Sequence, residues 1–417
     1  MYVRTVQGFR QGPYGHVPRS GRAGGLGYSP PPGLNLLKHF HVPFDGSSNI
    51  FPHTLLKPEN LNPGYSSRDD PLQQGLHGIL KQEPFRSLLV DKTATRANVG
   101  DKIRVALADL SGGKLFKPLF AGYGSTVPIG AASLAKVLAL YAAFQLREDL
   151  SHLASSSRPQ LVTKDALIKA AVKAGYPARN GELPELFDFK EDSKTPVAIT
   201  FTAAAWAHLR QTVGSARQAC GCCSNGSATW LIHHLGYPYI ASLAWQSGLR
   251  HPTTKGLWLR RDYGTLAECQ RGEGRRTPLR GGARRPEAGW AAEWASSPLS
   301  TLPHECNALS MATFFTLLAQ GRLTNFWASK QLREDILTQG YAGAFGPAFP
   351  GLTISSKVGR LKPPEGFLDH QAAIIRRTKG GKQIHYVVAV LTQRVARESG
   401  LIASFVLKLD DLVSSLN

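Results

Sequence analysis

Hydrophobic positions change period several times along this chain, and each change predicts an element. Ile103-Arg104-Val105-Ala106-Leu107-Ala108-Asp109-Leu110 reads as a strand, closed by a tight turn at Ser111-Gly112-Gly113-Lys114. Leu134, Val137, Leu138, Tyr141 and Phe144 then recur at helical spacing, which starts a helix at Ser133. Asp188 to Lys194 forms a polar break, and Phe201 to Gln211 reads as a helix leading toward a second helical run, Ser227 to Ile232. The apolar stretch from Asn307 ends at Gly321, a good helix stop. From Leu352 the pattern turns β-like through Arg360. His370–Ile375, a turn at Lys379-Gly380-Gly381-Lys382, and Ile384–Leu391 then form an antiparallel hairpin. A last helix, about Ser399 to Leu416, carries Leu401, Ile402, Phe405, Leu409 and Leu412 on one face. Antiparallel strands with helices on both sides predict an α+β layered domain with an all-helical lobe at about 134–345.

Composition divides the chain without naming a function. Residues 1–88 hold Gly- and Pro-rich runs such as Gly12-Pro13-Tyr14-Gly15 and Ser29-Pro30-Pro31-Pro32-Gly33, which sustain neither helix nor ladder. We expect a disordered or loosely laid segment there, and one domain over 89–417. The segment contains no secretory-type apolar core with a basic flank, and no run in the chain is long enough to span a membrane. The formal charge of +20 raises nucleic acid as a partner. Much of it, however, sits in one stretch: Arg260, Arg261, Arg271, Arg275, Arg276, Arg280, Arg284 and Arg285. That stretch lacks aromatic interleaving, so we expect a flexible basic insertion at about 268–300 and no nucleic-acid partner; an out-of-frame segment would look the same. Three of the five cysteines crowd into Cys220-Gly221-Cys222-Cys223. Neither Cys269, Cys306, His233 nor His234 completes a metal-binding spacing with them, so they read as small packed thiols. No metal or cofactor is implied, and His39 and His41 receive no role.

Chemistry concentrates at Ser133-Leu134-Ala135-Lys136, where the helix phase puts Lys136 on the same face as Ser133, one turn on. A serine hydroxyl needs a base, and a lysine deprived of water has a lowered pKa that lets it act as one. Ser-x-x-Lys also occurs by chance in many helices, where the serine merely caps. Two later strings give it weight: Cys220-Gly221-Cys222-Cys223-Ser224-Asn225-Gly226-Ser227, and Ser355-Ser356-Lys357-Val358-Gly359-Arg360.

In that order the three strings resemble the motifs of the penicillin-recognising serine hydrolases, which include class A β-lactamases and DD-peptidases: Ser-x-x-Lys, Ser-x-Asn and Lys-Thr/Ser-Gly. The resemblance runs from about Ile103 to the C-terminus and implies a β-lactamase/transpeptidase-like fold. It implies Ser133 as the acylated nucleophile and Lys136 as its proton partner. It further implies Asn225 as orienter of the substrate amide, and Lys357, Gly359 and Arg360 as the substrate-binding strand. The backbone N–H groups of Ser133 and Arg360 would form the oxyanion hole. The implied partner is a small-molecule substrate, a β-lactam or a peptide or ester, usually met in a periplasmic or secreted setting. Two positions depart from the pattern. With Asn225 in register, the motif serine falls on Cys223, a weaker hydrogen-bond donor; the register using Ser224 puts Gly226 where asparagine belongs. Val358 stands where a hydroxyl helps hold the substrate carboxylate. The Glu-x-x-Leu-Asn string that activates the deacylating water in class A enzymes is missing from Gly256–Glu268, where Asp262 and Glu268 are the candidate stand-ins. That absence points toward slow deacylation, as in a DD-peptidase, or to an esterase, and the two departures leave open a degenerate ligand-binding member.

Overall fold

The computed structural model describes residues 70–89, 102–174, 176–177, 182–214, 221–251, 255–259, 263, 304–339, 343–361, 368–393 and 400–417. The expectations for residues 1–69 and for the basic stretch at 268–300 lie outside the described residues. The strands, in chain order, are β1 (Ile103–Asp109), β2 (Leu119–Tyr123), β3 (Ile129–Gly130), β4 (Phe187–Asp192), β5 (Thr195–Phe201), β6 (Arg250–His251), β7 (Lys255–Gly256), β8 (Trp258–Leu259), β9 (His304–Cys306), β10 (Ser355–Leu361), β11 (Leu368–Lys379) and β12 (Lys382–Gln393). The helices are α1 (Pro71–Lys81), α2 (Lys136–Ser156), α3 (Lys164–Ala174), α4 (Ala203–Val213), α5 (Gly221–Leu235), α6 (Tyr237–Gln246), α7 (Ala308–Ala319), α8 (Phe326–Gln331), α9 (Phe345–Ala348) and α10 (Leu401–Ser415).

A five-stranded antiparallel sheet, in the order β10-β11-β12-β1-β2, separates two apolar cores. Successive strand side chains point to opposite faces, so each strand feeds both cores in alternation. Ala106 and Ala108 of β1, Val387, Ala389 and Leu391 of β12, and Ala372 and Ile374 of β11 face the larger core. Val105 and Leu107, Val388 and Val390, and Ala373 and Ile375 face the smaller one, under α1, α9 and α10. Burial on both faces explains why these strands read as nearly continuous apolar runs. The α+β layering expected from the sequence is present, with helices on both faces of an antiparallel sheet and a mainly helical lobe beyond the larger core.

Three boundaries differ from the sequence expectation. The packed chain begins earlier than residue 89: Asp70 caps α1 by accepting the Leu72 N–H at 2.9 Å, and Leu72, Leu76, Ile79 and Leu80 are buried. Gly75 suits a helix here because α10 lies so close; a Cβ added to it would fall 2.2 Å from Leu412. The Asp188–Lys194 stretch is part of a hairpin, β4–β5, whose Phe187, Val197 and Ile199 are buried while Asp188 faces outward. The long helix begins as a 3₁₀ turn at Ala132–Ala135 before α2 proper. The C-terminal hairpin is as expected and longer, β11 pairing with β12 from Leu368↔Gln393 to Lys379↔Lys382. Among the described residues, no helix is long and apolar enough to cross a membrane.

Candidate active site

Ser133 sits half-buried in the 3₁₀ turn that leads into α2, at the seam between sheet and lobe. That turn is held from three directions. The Ala131 N–H donates to the His304 carbonyl of β9 at 2.8 Å. His370 of β11 donates from Nε2 to the Gly130 carbonyl at 2.7 Å. Its Nδ1 accepts the Thr392 N–H at 3.2 Å, which fixes this tautomer, and burial pulls its pKa down to about 4. The Tyr263 hydroxyl donates to the Ala132 carbonyl at 3.0 Å. Between these ties Ala132 holds φ +46°, a left-handed conformation that alanine rarely takes. Such strain persists only where surrounding contacts over-determine it, and it gathers at functional sites.

Lys136, one turn beyond Ser133, is 1% exposed. Its Nζ donates to Asn225 Oδ1 at 2.6 Å and lies 4.8 Å from the centroid of the Tyr263 ring. Burial drives its pKa well below the usual lysine value, and the nearby Lys357 charge lowers it further. Lys357, on β10, is 7% exposed and donates to the Val358 carbonyl at 2.8 Å. Burial lowers its pKa to about 8.

Gly359 is where β10 meets the Ser133 turn. A Cβ there would lie 2.8 Å from the Ala131 carbonyl oxygen and 2.9 Å from the Leu134 nitrogen, so only glycine permits this approach. Arg360 is half-buried and pairs through Nε with Asp369 Oδ1 at 3.1 Å. Val358 lies on the other face of the strand: a Cβ on Gly343 would fall 2.9 Å from its Cγ2 and 2.5 Å from Gln371 Oε1.

Of the residues singled out in the sequence, Ser133, Lys136, Asn225, Lys357 and Gly359 therefore converge, and Arg360 follows on the same strand. Cys223 lies in the first turn of α5, with its side chain outside the described residues. The candidate carboxylates Asp262 and Glu268 also lie outside them. Cys306 is a buried free thiol whose pKa burial pushes up. Among the described residues, no three His, Cys, Asp or Glu side chains gather as metal ligands would.

Two contributors were missed in the sequence. Tyr263 lies inside a string searched only for carboxylates, and His370 reads simply as a strand residue. Both act on backbone carbonyls 131 and 240 residues away, and local pattern carries no trace of that.

No family model and no curated protein matches the chain. Among solved structures it is similar to a class A β-lactamase from Bacteroides cellulosilyticus, at 12% identity over 83% of this chain and 97% of that one, with a TM-score of 0.43. It is likewise similar to the TLA-3 extended-spectrum β-lactamase, at 11% identity over 83% and 98%, TM-score 0.46. A third is PBP-A, at 15% identity over 83% and 95%, TM-score 0.42.

Proposed function

We propose that this chain is a serine hydrolase that forms an acyl-enzyme on Ser133, with a β-lactam amide as its substrate. The observation that carries this reading is the buried Lys136. Desolvation favours its neutral amine, which keeps an N–H for Asn225 Oδ1 and leaves a lone pair for a proton. One helical turn away is the Ser133 hydroxyl.

In the acylation step Ser133 Oγ attacks the lactam carbonyl as its proton passes to Lys136. The C–N bond then breaks, and the ring nitrogen leaves with a proton returned from the lysine. The Ser133 and Arg360 backbone N–H groups are assigned to the oxyanion, and donors of that kind are worth roughly 3–4 kcal/mol each. Asn225 orients the amide and Lys357 attracts an anionic group. By resemblance, Cys223 takes the sequence position of the motif serine that passes a proton to the leaving nitrogen, and a thiol is a poorer donor for that step. Water then cleaves the ester.

A second reading has its own support. The Glu-x-x-Leu-Asn string that activates the deacylating water in class A enzymes is missing from Gly256–Glu268, and Tyr263 of that segment sets a ring, not a carboxylate, beside Lys136 Nζ. That absence suits slow deacylation, as in a DD-peptidase, or a carboxylesterase on the same scaffold.

Intact mass against time after mixing with benzylpenicillin decides between them, with Ser133→Ala alongside. An adduct that appears and then vanishes as drug is consumed supports the β-lactamase, and a persistent adduct supports the second reading. Ser133→Ala is expected to abolish labelling, and labelling that survives it overturns both.

A further inference from the structure

The left-handed peptide before Ser133 needs a cause. Alanine at φ +46° is strained, and the ties at Gly130 and Ala131 act upstream of it. The Tyr263 hydroxyl reaches the carbonyl of Ala132 itself. Tyr263 is in turn fixed on two sides. Its N–H donates to Thr229 Oγ1 at 2.9 Å, on the helix that carries Asn225 and one turn further along it. Its ring stacks on His304 at 4.2 Å and 22°, on the strand that holds Ala131. Burial keeps its phenol protonated, and hence a donor, through the whole working pH range.

We infer that Tyr263 is a positioning residue for acylation: its O–H clamps the Ala132 carbonyl, and so sets the Ser133 N–H and Oγ where attack requires them. The clamp spans the Ser133 turn and the Asn225 helix, so it also fixes their separation. This inference rests on the Ser133 reading given above. Its consequence is specific. If the hydroxyl works by holding a strained alanine, a residue that adopts φ +46° without strain makes the hydroxyl dispensable.

The experiment is a double-substitution cycle of Tyr263→Phe and Ala132→Gly, read as the saturating acylation rate and the half-saturating concentration. The probes are benzylpenicillin, followed by intact mass, and p-nitrophenyl acetate, followed by nitrophenolate release. Rates are taken per labelled site, so the folded fraction cancels. Tyr263→Phe is expected to lower the saturating rate roughly tenfold and the half-saturating concentration by less than about twofold, the loss of one hydrogen bond made in the reacting geometry. In the Ala132→Gly background the same substitution is expected to cost less than about threefold. Equal losses in both backgrounds, or a loss confined to the half-saturating concentration, overturn the clamp while leaving the hydrolase reading intact. A wild-type protein that neither probe acylates overturns that reading and the clamp together. If Tyr263→Phe alone fails to fold, the soluble yield becomes the readout: the double substitution is expected to recover it, and a double variant that stays insoluble overturns the clamp.

Discussion

One helix, α2, buries a lysine at its start and an aspartate further along, in opposite surroundings. Lys136 opens the helix and Asp149 lies 13 residues later, about 20 Å along the axis. Both are stripped of water and pushed toward their neutral forms, Lys136 downward and Asp149 up to about 8. Asp149 is closed in by its own lobe: it accepts from Gln145 Nε2 at 2.8 Å and the Tyr239 hydroxyl at 3.1 Å, with no exposed surface. Lys136 instead neighbours a half-exposed serine, an amide and a second lysine. A perturbed pKa is thus a result of burial and not a signature of chemistry. What distinguishes the two positions is whether a hydroxyl with access to solvent lies one helical turn from the group, as Ser133 does from Lys136.

The comparison breaks most sharply at Lys136. Lys136→Met keeps the length of the side chain and removes the amine. Acylation is expected to fall about 10³-fold, the scale of a lost general base. Thermal stability is expected to hold or rise, because an apolar group of the same length replaces a buried polar amine. A variant that acylates within tenfold of wild type would mean that Lys136 is as structural as Asp149.

Gly359→Ala comes next. Its Cβ would press on backbone of the Ser133 turn, at the Ala131 oxygen and the Leu134 nitrogen, and neither belongs to a flexible side chain. We expect stability to drop about 1–3 kcal/mol. Acylation is expected to drop about 10- to 100-fold as the turn shifts. Chemical denaturation and acylation kinetics on the same sample check both, and unchanged kinetics would separate β10 from the site.

Asp149→Asn is the converse of Lys136→Met. The Asp149 pKa rises from 3.8 unfolded to about 8 folded, so between those values the folded state holds the extra proton. Its contribution to stability is fully present below pH 3.8 and declines as pH rises, by about 1.4 kcal/mol per unit, until it levels off near pH 8. The asparagine variant, neutral throughout, is expected to lose this decline and to unfold at higher denaturant than wild type at pH 8. Its acylation rate should not change. Parallel stability curves for the two proteins from pH 5 to 8 would show that Asp149 is ionised in the fold.

How much of this could be read in advance follows the range of the interactions involved. Ser133 and Lys136 were legible because one helical turn relates them. Lys357 and Gly359 were legible because their strand precedes a hairpin with clear alternation. Asn225 came from the resemblance to a Ser-x-Asn motif, with the helix that continues past it choosing the register. Tyr263 and His370 were not, since each meets the Ser133 turn only once the sheet and lobe have closed on it. The N-terminal boundary failed for a related reason. Gly75 and Pro71 look like breakers in isolation, yet Pro71 opens α1 and Gly75 lets it seat against Leu412 of α10. In β4–β5, polar residues on the outward face hid a hairpin whose inward phenylalanine and branched side chains were the stronger signal.

The smallest expected effect tests where the resemblance and the geometry part. By resemblance, position 358 lacks a hydroxyl that holds a substrate carboxylate, so Val358→Thr should restore capture of anionic substrates. Strand alternation says otherwise. Gly359 faces the Ser133 turn, whereas Val358 turns toward Gly343 and Gln371, whose Oε1 already accepts the Ala344 N–H at 2.6 Å. A threonine hydroxyl there would meet Gln371, its partner across the strand pair. We expect Val358→Thr to change acylation by benzylpenicillin less than about twofold while costing about 1 kcal/mol of stability, since it buries a polar group in place of a methyl. A tenfold gain for benzylpenicillin with none for a neutral ester would instead put the 358 side chain in the site. It would also make Lys357 and residue 358 joint anchors of the anion, and β10 would then present two consecutive side chains to the substrate from its edge.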